Sequence, residues 1–481
     1  MSKAKFLLIL VCLSLIIFLD LKYRFRSYDT IPPVSESFDE QVLVWVGSSL
    51  INNQIPVGWS FIEDYVRPDS GQALDGWTIS VDGQKPTLSN FSTFPKPLSK
   101  KEEITLDGYT SHFTMVQPHI EQPPLGPILS SLLSGSYKKS TFEEVTLKEM
   151  RVPVILLSAV SIILIFFIAL LSFGLGVALL SSLLYALIPT VVITSRLVTA
   201  ENYLTPFLLL GVLLTQFWIK KGKKVYLLLA SILIPICYLI KPFGIALAGV
   251  IFLSILVFER PKKYLVFPII SSILGMGLFF AYGNFYDQDL FQKIVSYQTN
   301  RWFSPLHGIY KIVLPKITKL FLDGWVVFGW LSIAALTVGN VKRNFWVLAP
   351  VLCYLVMFLL YGGLDYGWYR LPIYPFLAIA IARLLYEGVK GANVWIGTAF
   401  LVTVFATSLN FAYFGLNWNS VVMPSRLIIL GIFLLLTLGF LPKFKALSSV
   451  VFVILIAVTL WLSIQTINNM PIIWPLLGDK I

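Results

Sequence analysis

Apolar runs about as long as a membrane is thick dominate this chain of 481 residues. A hydrocarbon core of ~30 Å needs about 20 helical residues, and about thirteen runs come near this length. Because these runs do not alternate with polar residues, they predict helices and not barrel strands. The predicted spans are 6–20, 152–173, 177–195, 202–219, 225–240, 243–258, 264–282, 325–341, 345–361, 371–386, 394–413, 425–441 and 446–468.

The composition also indicates an all-α polytopic membrane protein. Charged residues make up 13% of the chain and hydrophobic residues 57%, whereas soluble domains are usually ~25% charged. So few charges could not cover a soluble surface. The first span begins after Lys3 and Lys5 and has no small-residue cleavage site, so we expect a retained anchor. All three cysteines lie in apolar runs, which excludes a disulfide framework.

The basic residues predict which side of the membrane each loop occupies. The net charge is +12, and short clusters of lysine and arginine fall between alternate spans. The positive-inside rule places these clusters, and the N-terminus, in the cytoplasm. The C-terminus and the two long loops are then extracytoplasmic. Lys22, Arg24 and Arg26 are exceptions on the outer side. The concordant clusters lie at 220–224, 260–263, 342–343, 390 and 443–445.

This topology divides the chain into four regions. Residues 1–20 form the first span, and residues 21–150 form a large extracytoplasmic loop domain. Residues 151–390 form a core of spans that includes a second outer loop at 283–324, and residues 391–481 form the C-terminal spans.

The loop domain contains two apolar runs, 38–51 and 125–135, that are too short to span. We expect both to be juxtamembrane helices lying along the outer surface. Residues 60–118 match no pattern that indicates a function.

Charged residues avoid the middle of every predicted span, and Arg383 is the deepest. Ion-coupled transporters need ionisable groups at mid-depth, so this class is disfavoured. The chain also lacks a phosphate-binding Walker loop and a dinucleotide glycine pattern. Charges of both signs gather at the outer helix ends instead: Asp39, Glu40, His119, Glu121, Arg151, Arg196, Glu201, Lys241, Arg301, Asp365 and Arg370.

Several short motifs at these outer ends follow one another in a familiar order. They are Phe38-Asp39-Glu40, Glu121-Gln122-Pro123-Pro124-Leu125-Gly126, Arg151-Val152-Pro153, the segment Ser195 to Glu201, Tyr238 to Pro242, and Tyr369 to Pro375. The chain therefore resembles the membrane glycosyltransferases of GT-C type, in particular the superfamily of dolichyl-phosphate-mannose protein mannosyltransferases and aminoarabinose transferases. The resemblance covers most of residues 1–390 and implies a GT-C fold.

The resemblance implies transfer of a sugar from a polyprenyl-phosphate donor to an acceptor on the outer face, with inversion at the anomeric carbon. Asp39 is then the catalytic base, and Glu40 assists by orienting the acceptor or a metal. A phosphate is a good leaving group, so one carboxylate suffices, whereas glycosidases need two.

The resemblance also assigns roles to the other outer residues. Four basic residues are expected to bind the donor phosphate, because cationic side chains hold its oxygens and stabilise the leaving charge: Arg196, Lys241, Arg301 and Arg370. Six more residues are expected to position the donor or acceptor: His119, Glu121, Gln122, Glu201, Asp365 and Tyr369. Gln122 departs from the family, whose members often have histidine or lysine there, so one phosphate contact is in doubt.

Simpler interpretations exist for most of these residues. Asp39 and Glu40 could be the acidic first turn of an ordinary helix. Arg196 and Glu201 could pair with each other. Arg301 and Trp302 could anchor the loop at the interface, since tryptophan favours that depth.

Other functions are also compatible with the sequence. A lipid-linked glycan ligase or polymerase would share the outer basic residues, whereas a flippase would need polar residues along the spans. The expected partners are a polyprenyl-phosphate-linked sugar, membrane lipids, and an acceptor lipid, glycan or protein, without nucleic acid. His112, His119 and His307 lack convincing metal-ligand spacing, although a divalent metal is compatible with the resemblance.

Overall fold

The computed structural model describes residues 3–37, 39–60, 62, 65, 98–106, 108–299, 323–361, 367–407 and 418–477. Helices make up most of this part of the chain. Helices α1 to α7 are Lys3–Arg24, Asp39–Asn53, Leu125–Ser134, Leu147–Phe173, Leu175–Leu187, Pro189–Thr194 and Ala200–Lys221. Helices α8 to α12 are Lys224–Ile240, Ala246–Val257, Val266–Thr299, Gly324–Thr337 and Val341–Tyr361. Helices α13 to α17 are Tyr374–Gly391, Val394–Phe400, Trp418–Thr437, Lys445–Asn468 and Met470–Ile473.

Within the described residues, 7 helices are long and apolar enough to cross a membrane. They are Phe6–Arg24, Leu147–Phe173, Ala200–Lys221, Lys262–Thr299, Val341–Leu360, Met423–Phe440 and Pro442–Asn468. Other predicted spans form shorter apolar helices. The run at 177–195, for example, is divided into α5 and α6 at Ile188, directly before Pro189. A proline at the first helical position begins a new helix, because it has no N–H to donate to the preceding one. The prediction of a polytopic helical membrane protein is confirmed.

The helices pack around a buried centre formed by α4, α5, α7, α8 and α13. Helix α7 lies against α4 and α8, while α13 lies between α5 and α11. Helix α10 packs on the other side of α8. In contrast, α10 and α15 expose many leucine, isoleucine and phenylalanine side chains. Such exposed apolar surface is typical of helices in contact with lipid.

The all-α prediction is wrong for the first outer loop, which contains a three-stranded antiparallel sheet. Its strands are β1, Gly58–Trp59; β2, Leu98–Leu106; and β3, Tyr109–Gln117, in the order β1-β3-β2. Strands β2 and β3 form a hairpin in which Leu106 pairs with Tyr109. Gly108 in the turn has a φ of +81°, a conformation that glycine adopts without strain.

The two predicted juxtamembrane helices exist as α2 and α3, but α2 does not lie on a surface. Ten consecutive residues of α2, from Glu40 to Ser49, are buried. It packs on α3 so closely that a Cβ atom on Gly47 would lie 2.0 Å from the carbonyl oxygen of Pro127. The two helices of the outer loop domain are therefore packed tightly against each other.

The predicted outer loop at 283–324 begins as a helix. Helix α10 continues to Thr299 but changes direction at Asp287, whose φ of −162° and ψ of 108° are not helical. The Asp287 carboxylate accepts a hydrogen bond from Leu290 N at 2.9 Å and so caps the second half of the helix. Directly before the kink, Tyr286 OH donates to the Gln54 carbonyl oxygen at 2.6 Å.

Arg24 is one of the three basic residues that are exceptions to the positive-inside rule. Arg24 is fully buried and donates through Nε to the Asp20 carboxylate at 2.6 Å. Its other nitrogens donate to the carbonyl oxygens of Tyr185 and Val191. Since its charge is paired inside the protein, Arg24 is a structural residue and not a topological signal.

Candidate active site

A cavity of about 380 Å³ lies where the outer loop domain meets α7, α8 and α10. One wall is polar and comes from the loop domain and the first turn of α7. The opposite wall is apolar and comes largely from α10. The lining includes Asp39, Ser60, His119, Glu121, Gln122, Thr199, Glu201, Tyr238, Lys241, Met276, Phe279, Phe280, Gln298 and Tyr369.

Seven of the ten predicted site residues that the structure describes line this cavity. They are Asp39, His119, Glu121, Gln122, Glu201, Lys241 and Tyr369. The sequence motifs that are far apart in the chain thus converge on one place, as the resemblance implied.

Asp39 and Glu40 point to different surroundings at the start of α2. Asp39 lines the cavity. Glu40 is 1% exposed, and its carboxylate accepts hydrogen bonds from Arg151 Nε at 3.0 Å and from Val198 N at 2.8 Å. Glu40 is therefore not among the residues that the cavity exposes, and the contacts indicate a structural role instead of the expected catalytic assistance.

Arg151 connects Glu40 to the segment that precedes α2. The guanidinium is fully buried and donates to the carbonyl oxygens of Tyr28 and Pro32 and to the Ser37 hydroxyl, in addition to Glu40. Each of these bonds holds part of the chain that leads to Asp39. The Arg151–Glu40 pair is thus a fixed point from which Asp39 extends into the cavity.

Lys241 is a cationic residue of the cavity lining, and the groups around its ammonium are known. It follows the last residue of α8, and its Nζ lies 3.2 Å from Glu201 Oε1 and 5.0 Å from the centre of the Tyr369 ring. The Lys241 side chain is 15% exposed, whereas Glu201 is 1% exposed. Glu201 and Tyr369 therefore hold the ammonium group in place while leaving part of it open to a ligand.

A tight contact at Gly126 brings the end of α8, next to Lys241, against the Pro-Pro turn of the loop domain. A Cβ atom on Gly126 would lie 2.9 Å from the carbonyl oxygen of Ile240, so a larger residue would push the two segments apart. Gln122 and Pro123 line the cavity on the same turn. Gly126 therefore allows the polar residues of the loop domain to face the end of α8.

The loop-domain wall is a hydrogen-bonded network centred on Glu121. Ser60 Oγ donates to Glu121 Oε1, and Gln298 Nε2 donates to Glu121 Oε2 at 3.4 Å. His119 Nε2 lies 3.7 Å from Glu121 Oε1, and the imidazole stacks on Tyr65 with the ring centres 6.4 Å apart. The bond from Gln298 joins the second half of α10 to the loop domain.

Burial determines the charge of the histidine in this wall. Desolvation lowers the pKa of His119 from its ordinary value of 6.5, and the negative charge of Glu121 opposes this effect. His119 is therefore neutral at pH 7. Burial and the nearby Glu121 charge also raise the pKa of Tyr65, whose hydroxyl accepts a hydrogen bond from Ile120 N at 3.1 Å.

Arg196 and Arg370 are described by the structure and do not line the cavity. Arg196 is fully buried and donates to the carbonyl oxygens of Tyr23 and Ile31, so it stabilises the segment between α1 and α2. Arg370 is 3% exposed and does not line the cavity, although its neighbour Tyr369 does. In the alternative interpretation Arg196 pairs with Glu201, but the structure pairs Glu201 with Lys241. Arg301 and Asp365 lie outside the described residues.

The polar residues of the site that were not predicted include Ser60, Thr199, Gln298 and Thr299. Ser60 lies at the start of a segment that matched no pattern. Gln298 follows an apolar spacing of Leu290, Phe291, Ile294 and Val295 that is typical of an amphipathic helix, and this spacing could have indicated that the predicted loop continues α10.

Among the described residues, no group of three or more His, Cys, Asp and Glu side chains could hold a metal ion. His119 and Glu121 lie close together in the cavity wall, but a third side chain of these types does not join them within that part of the chain.

Comparison with known proteins supports the resemblance seen in the motifs. Residues 132–282 match the model of the family described as dolichyl-phosphate-mannose-protein mannosyltransferase. The matched segment includes Glu201 and Lys241 of the cavity and Arg151 of the buried pair. This match confirms the predicted resemblance to that superfamily. No curated protein sequence matches the chain.

Several solved structures match the chain at low sequence identity. The undecaprenyl-phosphate-bound ArnT of Cupriavidus metallidurans is 13% identical, with 99% of this chain and 79% of that chain covered, and a TM-score of 0.47. The apo form of the same protein gives 16% identity, coverages of 73% and 68%, and a TM-score of 0.43. The oligosaccharyltransferase of Archaeoglobus fulgidus in its apo form is 11% identical, with 94% of this chain and 57% of that chain covered, and a TM-score of 0.43.

Proposed function

We propose that the chain is an inverting membrane glycosyltransferase of GT-C type. It transfers a sugar from a polyprenyl-phosphate donor to an acceptor hydroxyl or amine at the outer face of the membrane. The observation that carries this proposal is the composition of the cavity: a carboxylate, Asp39, and an ammonium group, Lys241, share it with an apolar wall from α10.

The apolar wall suits the donor's isoprenoid chain. Met276, Phe279 and Phe280 line the cavity, and Met276 and Phe280 are also 37% and 42% exposed on the lipid-facing side of α10. The cavity therefore borders the surface that contacts lipid. A polyprenyl chain can lie along this wall without leaving the bilayer, so the phosphate is brought to the polar end by its own anchor.

Lys241 is placed to receive the phosphate. An ammonium group that is largely withdrawn from water attracts an anion more strongly than an exposed one. Its partner Glu201 holds it in position. As the bond from the anomeric carbon to the phosphate oxygen breaks, its electron pair passes to the phosphate, and Lys241 stabilises the growing charge.

Asp39 supplies the base. It accepts the proton of the acceptor hydroxyl while that oxygen forms the new bond to the anomeric carbon. Attack from the side opposite the phosphate inverts the configuration at this carbon. The Arg151–Glu40 pair keeps the first turn of α2 fixed, which holds the base where the acceptor arrives.

The direction of the helices supports action at the outer face. Glu201 lies at the start of α7, whereas Lys220 and Lys221 end it. A helix of 22 residues is about 33 Å long, so the cavity and the basic loop lie at opposite membrane surfaces. With the basic loop in the cytoplasm, the cavity is extracytoplasmic.

Replacing Asp39 by asparagine tests this proposal. Tritiated polyprenyl-phosphate mannose is supplied to proteoliposomes that also contain host membrane extract as a source of acceptor, and labelled product is measured. We expect Asp39→Asn to lower transfer by about 10²-fold or more, while the exposed Asp29→Asn variant of the same region retains it. Undiminished transfer by Asp39→Asn would exclude its role as base. If mannose is not transferred, glucose and arabinose donors are compared in the same assay.

A further inference from the structure

The polar wall of the cavity contains several buried polar atoms that have no hydrogen-bond partner among the described residues, among them His119 Nδ1 and Glu201 Oε1, and two of these atoms belong to Thr199 and Gln122. Thr199 is 7% exposed, and its hydroxyl has no hydrogen-bond partner among the described residues. The side-chain oxygen of Gln122 is buried and likewise without a partner in that part of the chain. Both residues line the cavity. A buried polar atom that gives up water without gaining a partner is unfavourable, so these two atoms indicate a ligand that supplies the missing hydrogen bonds.

Thr199 is free for this role because it does not cap its helix. It occupies the position before the first residue of α7, where a threonine hydroxyl usually accepts a hydrogen bond from the first turn. No such bond is formed. The backbone on both sides is nevertheless fixed: Val198 N donates to Glu40, and Glu201 pairs with Lys241. The hydroxyl is thus held rigidly at the cavity.

Gln122 is held from the opposite side. It lies on the Pro-Pro turn, between Glu121, which is bonded to Ser60 and Gln298, and Pro123. Gly126 keeps this turn against the end of α8. Two uncharged groups, on separate rigid segments, therefore line one cavity with Lys241.

The charges of the cavity limit what can bind between these groups. Among the described lining residues, Asp39, Glu121 and Glu201 carry three negative charges, and Lys241 carries one positive charge. His119 is neutral. A ligand portion with further negative charge, such as a second phosphate or a carboxylate, would be repelled. An uncharged portion rich in hydroxyl groups would not, and its hydroxyls can both donate and accept.

We propose that Gln122 and Thr199 form a subsite that binds the hydroxyl groups of an uncharged monosaccharide. The subsite lies beside the phosphate-binding Lys241 and selects the sugar of the donor. This inference rests on the proposed function, since it assigns the part of the same cavity that distinguishes one sugar donor from another.

Binding of donor analogues with and without the sugar tests the proposal. The probes are farnesyl phosphate, farnesyl-phosphate mannose, glucose and galactose, and farnesyl-phosphate glucuronic acid, titrated calorimetrically into the full chain in detergent. We expect at least one uncharged sugar probe to bind about tenfold more tightly than farnesyl phosphate. The glucuronic acid probe should bind no more tightly than farnesyl phosphate. Thr199→Val and Gln122→Met should each weaken binding of that sugar probe on the order of tenfold, as loss of one hydrogen bond does. Neither variant should change the affinity for farnesyl phosphate.

Matched variants separate this role from a structural one. Thr199→Ser, which keeps the hydroxyl, should retain sugar binding. Thr215→Val, which removes a buried hydroxyl bonded to Gly211 far along α7, should bind every probe as the wild type does.

Two results would overturn the inference in different ways. If wild-type protein binds farnesyl phosphate and all sugar probes equally, or if both variants weaken all probes alike, the subsite is wrong and the proposed function stands. If the wild type binds no lipid phosphate, or if Lys241→Met binds farnesyl phosphate as tightly as the wild type does, the proposed function fails and the subsite fails with it.

Discussion

Asp39 and Glu40 are consecutive residues, yet one lines the cavity and the other is buried against Arg151. Their carboxylates therefore have different tasks. Glu40 accepts hydrogen bonds from Arg151 and from Val198 N, which ties α2 to α4 and to the segment before α7. Asp39 extends from this fixed turn into the cavity. An acidic pair that looks like one unit in the sequence divides into a structural residue and a candidate base.

Removing Arg151 should destabilise the fold strongly. Arg151→Met leaves the Glu40 carboxylate buried without its partner, which costs about 3–5 kcal/mol of unfolding free energy. Thermal unfolding in detergent, followed by circular dichroism, measures the change. Asp39→Asn should unfold at the wild-type temperature, because Asp39 lies on the cavity wall.

A double-variant cycle checks that the loss comes from the pair. Glu40→Gln with Arg151→Met should be less destabilised than the sum of the two single variants, because the buried charge that lacks a partner is gone. Simple additivity would show that Arg151 stabilises the fold through its carbonyl contacts and not through Glu40.

Replacing Lys241 should affect catalysis more than folding. Lys241→Met removes the cation that we propose stabilises the leaving phosphate, and we expect kcat to fall by about 10²–10³-fold. Lys241→Arg keeps the charge and should retain more activity. Steady-state kinetics with the donor measure both. Lys224→Met, at the exposed opposite end of α8, is the control and should behave as the wild type; equal losses in these two methionine variants would contradict the assignment.

Adding a methyl group at Gly126 should disturb the site. The new Cβ atom would lie 2.9 Å from the Ile240 carbonyl oxygen, and overpacking of this kind costs about 1–3 kcal/mol. Because the displaced turn carries Gln122, Gly126→Ala should lower both the unfolding temperature and transfer activity. Gly277→Ala, where a Cβ meets no atom within 4 Å, should leave both unchanged.

Acid should lower the stability of the folded protein through protonation of His119. Its pKa is lowered in the folded state from the ordinary value of 6.5, so the unfolded chain binds a proton more readily. Stability from this residue is therefore complete above about pH 6.5 and is lost as the pH falls through the folded pKa. Unfolding temperatures measured from pH 7.5 to pH 5 should decrease less in His119→Phe than in the wild type. Parallel curves for the two proteins would contradict this assignment.

The sequence predicted the helical membrane architecture well because long apolar runs have few alternatives. It also identified most of the polar residues that meet in the cavity, since their motifs occur in a recognisable order. It did not predict the β-sheet, because strands of nine residues with mixed polarity, such as Leu98–Leu106, carry a weak periodic signal.

Distinguishing cavity residues from buried ones also required the structure. Charge at a helix end is compatible with a ligand contact and with a buried pair, and the sequence does not separate them. Arg196 donates to backbone carbonyls of a segment more than 160 residues away in the chain, and Glu40 pairs with Arg151 across 111 residues. Such distant partners are set by tertiary packing and not by local pattern.

The kink at Asp287 divides α10 into two parts that run in different directions. The part of this helix that borders the bilayer carries Met276 and Phe280, and the part beyond the bend carries Gln298 over the polar end of the cavity. The hydrogen bond from the Tyr286 hydroxyl to the Gln54 carbonyl oxygen holds the helix next to the kink. One helix therefore contributes both to the apolar wall that borders the bilayer and, through the bond from Gln298 to Glu121, to the polar wall of the same cavity.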